Sequence, residues 1–156
     1  LSLHDALPIS IQFKDKIVNG VFLNIQKKED SILNGVVIEI SKEELEILKL
    51  REKNYSCITI KSSDVLDKSF DDDLIAFMTI NDEKLAKIGD TNSFIPAKYI
   101  EVVKEGLKNY DDNFIKEFEK TFENYPFTLK DGSYVFTDPI QNKVAREGIQ
   151  SQNESK

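Results

Sequence analysis

Glu52 is the first side chain in this sequence whose type and setting suit chemistry. It ends the stretch Ser41–Glu52 (SKEELEILKLRE) and is followed by Lys53, Asn54, Tyr55 and an apolar run from Ser56 to Ile60. Leu45, Leu48 and Glu52 fall at i, i+3 and i+7, which is one face of a helix. An apolar face and the negative end of a helix dipole both disfavour an ionised carboxyl. A general acid/base that gives and takes a proton near neutral pH needs such a setting. On pattern alone a solvated glutamate at a frayed helix end is the plainer reading, because Glu is almost never fully buried.

The elements that would position Glu52 follow from local signals. Ser41 with Glu44 three residues on is a capping-box start for the helix, and Tyr55–Ile60 reads as the strand after it. Upstream, Ile17–Ile25 alternates with Val21, Leu23 and Ile25 on one side. Lys27–Asp30 is a charged turn, and Ile32–Ile40 is expected to return as the second strand of a hairpin. Residues 62–73 form a polar loop. Its Asp71-Asp72-Asp73 run reads as a solvated turn, since a calcium loop needs spaced oxygens and a glycine bend. A strand is expected over Leu74–Ile80. Pro96 opens a helix to about Tyr110 with Tyr99, Val103, Gly106 and Tyr110 on one side, and Gly106 suggests close packing there. Asp111 or Asp112 caps the next helix, whose Ile115, Phe118, Phe122 and Tyr125 form a core stripe. Phe127–Thr137, turning at Asp131-Gly132, is expected as a last hairpin. Residues 142–156 read as a polar, flexible tail.

Composition narrows the function. The chain has 156 residues, one domain's worth, with 40% hydrophobic and 31% charged residues. Its net charge of −7 argues against a nucleic-acid partner, which would need a basic stripe. No apolar run approaches a membrane span, so no membrane partner is expected and a cytoplasmic location is the default. Cys57 is the lone cysteine, which leaves neither an intramolecular disulfide nor a cysteine zinc cluster.

From Asn34 to about Tyr110 the chain resembles the gamma-glutamylcyclotransferase-like superfamily. The residues that carry the likeness are Gly35–Ser41 (GVVIEIS), Arg51–Tyr55 (REKNY), Ile95–Ile100 (IPAKYI) and Lys104–Leu107 (KEGL). The resemblance implies an α+β fold, a small mixed β-barrel with flanking helices, enclosing a cavity for a γ-glutamyl group. It implies that Glu52 is the catalytic acid/base, that Tyr55 and Tyr99 line the substrate site, and that no cofactor or metal takes part. The implied substrate is a small γ-glutamyl amine, peptide or amino acid, cyclised to 5-oxoproline with release of the free amine. The plainer reading of both tyrosines is a half-buried ring with a wet hydroxyl. Lys49 and Lys53 stand where the family usually has Asp and Gly, and the family's Tyr-Gly loop, which would grip the substrate and oxyanion, has no counterpart here.

Residues 1–10 (LSLHDALPIS) resemble translated sequencing-adaptor read-through, so they are expected to be a non-native leader. The domain is then expected over 11–141, with the Tyr-Gly loop lost upstream. Setting the leader aside also removes His4, the chain's one histidine, and with it a base for Ser-His or Cys-His chemistry. The alternative function is a non-catalytic relative that uses the same fold to bind a small molecule or a protein.

Overall fold

In a computed structural model, which describes residues 2–121 and 126–147, the chain is an α+β protein built on one five-stranded mixed sheet. β1 (Ser2–Phe13) and β2 (Lys16–Asn24) form an antiparallel hairpin joined by Lys14-Asp15, with Lys14 at a φ of 54°. β1 alternates as a strand with one buried face must: Leu7, Ile9, Ile11 and Phe13 are buried, while Ser10 and Gln12 are exposed. Most of the segment set aside as a leader therefore lies in β1, and its Leu7 and Ile9 are core residues.

This placement accounts for the main departure from the sequence reading. The expected partner of β2, Ile32–Ile40, forms no strand. One edge of β2 is taken by β1 and the other by β5 (Ser93–Pro96), which pairs in parallel at Asn19 and Gly20. Residues 32–40 add to neither edge: β5 takes Asn19 and Gly20, the Tyr55 and Tyr99 hydroxyls take the Leu23 backbone beyond them, and Ile32, Val36, Val37 and Ile38 stay exposed.

α1 (Lys42–Arg51) carries the expected capping box. Ser41 Oγ accepts from the Glu44 N–H at 3.1 Å, and Glu44 Oε2 accepts from the Ser41 N–H at 2.7 Å. β3 (Ser56–Ile60) and β4 (Leu74–Met78) pair antiparallel as a separate two-stranded sheet. α2 (Ala97–Leu107) follows Pro96, and α3 (Asp112–Glu119) is capped by Asp111, whose carboxylate accepts from the Asn113 and Phe114 N–H groups. Both helices cover one face of the sheet: Ile100 and Leu107 are buried with Val21 and Ile95, and Phe114, Ile115 and Phe118 pack against them. The core stripe thus stands as far as Phe118; Phe122 and Tyr125 lie outside the described residues. On the other face Leu7, Ile9, Ile11, Phe13, Phe22 and Phe94 form a second cluster.

Gly106 does not have the close packing expected of it. It is exposed, and a Cβ there would meet nothing within 4 Å. Gly106→Ala should therefore stabilise the protein by about 0.5 kcal/mol, since glycine in a helix loses more backbone freedom on folding. A melting curve checks this, and a lower melting temperature would contradict it.

The last strands also differ from expectation. β6 (Leu129–Lys130) adds in parallel to β5, and β7 (Tyr134–Phe136) adds antiparallel to β1. The order β6-β5-β2-β1-β7 places them at opposite edges, so they form no hairpin with each other. Only residues 131–133 separate them, and four chain steps span at most ~14 Å. The sheet must therefore curl until its edges nearly meet. It does not close: the two edge strands, two and three residues long, do not pair, and the expected β-barrel is an open, curled sheet. α4 (Pro139–Glu147) follows β7, so residues 142–147 of the expected tail are helical, and 148–156 lie outside the described residues.

Candidate functional site

The helix that Ser41 starts ends as its pattern predicts. Leu48 is buried, Leu45 half-buried, and Glu52 is the C-cap, its N–H donating to the Leu48 carbonyl at 2.8 Å. The chain then turns within three residues, the Tyr55 N–H donating to the Glu52 carbonyl at 2.8 Å. The Glu52 side chain is 23% exposed, and its Oε1 accepts from Arg51 Nε at 2.7 Å. Its charge has a neighbour, on an otherwise apolar helix face.

Tyr55 and Tyr99 come together on the backbone of one residue, Leu23. The Tyr55 hydroxyl donates to the Leu23 carbonyl at 2.9 Å, and the Tyr99 hydroxyl accepts from the Leu23 N–H at 3.3 Å. The β2–β5 pairing ends at Gly20, three residues earlier. Past that point the two phenols satisfy backbone groups that no strand takes, and a buried peptide group left unpaired would be costly. Tyr99 also packs edge-on against Phe22, with ring centroids 5.0 Å apart. Residues 44 apart in sequence thus bond to the backbone of one residue, and Glu52 is near enough for its charge to act on both rings.

Burial pushes both phenols well above the usual value of 10.0. For Tyr55, the neighbouring Tyr99 and the Glu52 carboxylate push in the same direction. For Tyr99, the Leu23 N–H opposes burial, while Tyr134 and Glu52 add to it. A phenol raised by folding stays protonated in the fold while the unfolded chain ionises. Its stabilising contribution is therefore complete below pH 10 and is lost as the pH rises beyond that. Tyr55 and Tyr99 should accordingly ionise only together with unfolding, as an alkaline titration of tyrosinate absorbance followed alongside circular dichroism would record. Reversible titration of every tyrosine near pH 10 in an intact fold would contradict this.

Several residues at this place carried no signal in the sequence. Asn24 is buried, and its Oδ1 accepts from the Thr79 N–H at 2.9 Å, tying β2 to the segment after β4. The one hint was a polar residue interrupting the apolar run Val21–Ile25. Lys53 pairs with Asp138, and Lys49 with Glu46 at 2.7 Å, so both lysines that depart from the family pattern have carboxylate partners. A cavity of about 320 Å³ lies beside the turn, lined by Leu7, Pro8, Asn54, Glu83, Lys84 and Leu85. It reaches Asn54, two residues from Glu52, but Glu52, Tyr55 and Tyr99 are not among its lining residues. Among the described residues, no group of three or more His, Cys, Asp or Glu is placed to hold a metal ion. Nor is any helix among them long and apolar enough to cross a membrane.

Fold and site together define an α+β protein with two half-buried phenols bonded to the end of a central strand and an acidic residue nearby. No protein-family model matches the chain, and neither the curated proteins nor the solved structures contain a match.

Proposed function

We propose that the protein is a gamma-glutamylcyclotransferase-type enzyme with Glu52 as its single general acid/base. The observation that carries this reading is the half-buried Glu52 carboxylate at the end of α1, near enough for its charge to act on Tyr55 and Tyr99. Those are the residues that the likeness over Asn34–Tyr110 selects. The cavity of about 320 Å³ beside the turn is lined by Asn54 and not by Glu52, and it lies at the small end of ligand-pocket volumes.

In the reaction, the substrate's α-amine attacks its own γ-carbonyl carbon and forms the lactam C–N bond. The bond from that carbon to the leaving nitrogen then breaks. Glu52 takes a proton from the attacking nitrogen and returns it to the departing one, so no proton is gained or lost overall. Holding the substrate folded supplies much of the acceleration, because amine and carbonyl then react at high effective molarity. The test is 5-oxoproline release from a panel of γ-glutamyl amines, peptides and amino acids.

A second reading, a non-catalytic binding relative, is favoured by two observations. Both phenol hydroxyls are engaged by Leu23 rather than free for a substrate. The exposed apolar run Ile32, Val36, Val37 and Ile38 suits a protein partner. A rise in melting temperature with a panel compound, without turnover, would favour this reading.

A further inference from the structure

The turn that carries Glu52 is gripped by a segment about 90 residues away. Gln141, in the first turn of α4, is 4% exposed. Its Nε2 donates to the Arg51 carbonyl at 2.8 Å, and its Oε1 accepts from Asn54 Nδ2 at 3.4 Å. The Arg51 carbonyl is one of the last in α1, where helices lack internal donors, so Gln141 supplies a missing one. The backbone N–H of Gln141 donates to Asp138 Oδ1 at 2.7 Å, and the other Asp138 oxygen takes the Lys53 ammonium. Arg51, Lys53 and Asn54 are thus each bonded to the 138–141 segment, while the Glu52 carboxylate is taken by Arg51 Nε. The residues on both sides of Glu52 are fixed and its carboxylate is left outside the clasp.

We propose that Gln141 is a positioning residue, which fixes the Glu52–Tyr55 turn by bonding to the residues on either side of Glu52. Its catalytic consequence rests on the function proposed above; the clasp does not. Shifting a reacting group by about 1 Å can cost on the order of a hundredfold in rate, so a side chain that fixes the turn acts on turnover without touching substrate.

Two variants of the full-length protein test this. Gln141→Leu removes both side-chain bonds, and Gln141→Glu keeps the shape but cannot donate to the Arg51 carbonyl. Amide hydrogen exchange at Glu52 and Tyr55 should quicken about five- to tenfold in each, with β2 amides such as Val21 unchanged, because local opening is read separately from global unfolding. Should Gln141→Leu fail to fold, Gln141→Glu carries the test alone. With a turned-over γ-glutamyl compound, kcat per folded molecule should fall about 10- to 100-fold while KM changes less than about threefold. Unchanged exchange at Glu52 and Tyr55, or unchanged kcat in a variant whose exchange has quickened, would overturn the proposal. Quickened exchange in a protein that releases no 5-oxoproline even unmutated would support the clasp and count against the enzyme reading instead.

Discussion

Glu52→Gln should lower 5-oxoproline release by about two to four orders of magnitude and leave the protein folded. The amide has the shape of the carboxyl but cannot shuttle a proton, and general acid/base catalysis contributes about that much. Arg51 Nε can still donate to the amide oxygen, so a contact of the kind seen at 2.7 Å can persist. The ion pair itself is partly exposed, and such pairs contribute at most about 1 kcal/mol. The loss should fall on kcat rather than KM, because the proton transfer belongs to the transition state and not to substrate binding. A variant with the same kcat as the parent and an intact circular dichroism spectrum would remove Glu52 from the mechanism.

Gly132→Ala should be strongly destabilising for so small a substitution. Gly132 has a φ of +145°, which a side chain rarely adopts, and a Cβ there would lie 2.8 Å from Cζ of Phe13. Phe13 is itself buried at the end of β1, edge-on to Phe94 at 4.8 Å, so its ring has little room to retreat. Backbone strain and overpacking together amount to about 2–5 kcal/mol. That corresponds to a melting temperature about 5–15 °C lower. Gly132 lies in the short link between the two sheet edges, so the same change should loosen β6 and β7 before the centre of the sheet. Hydrogen exchange would register the order of loss, and a melting temperature within about 1 °C of the parent would contradict the account.

What was legible in the sequence was local. The Ser41 capping box, the Asp111 cap and the Pro96 start of α2 each depend on a few neighbouring residues, and each is found in the structure; the alternation expected of β2 is not, because Val21 and Phe22 are buried on opposite faces of a strand covered on both. Pairing was not legible, because it depends on which edges are free. Ile32–Ile40 has strand composition, yet β1 pairs along one edge of β2, and β5 with the Tyr55 and Tyr99 hydroxyls bonds to the other. Leu129–Lys130 and Tyr134–Phe136 flank a turn, yet they join opposite edges because the sheet curls.

The site divides the same way. Glu52 could be singled out from the end of a single helix, and Tyr55 and Tyr99 only from the family likeness. Their meeting at Leu23 follows from where the β2–β5 pairing ends, which no local pattern encodes. The part played by Gln141 was hidden further still, because its partners Arg51 and Asn54 lie about 90 residues away in sequence.

The most direct test of the central claim is to incubate the full-length protein and its Glu52→Gln variant with the γ-glutamyl panel and quantify both products. The account expects 5-oxoproline and free amine in equal amounts from at least one compound, with the variant at a hundredth of the parent rate or less. A folded parent that forms no 5-oxoproline from any compound, or a variant that matches it, would contradict the account.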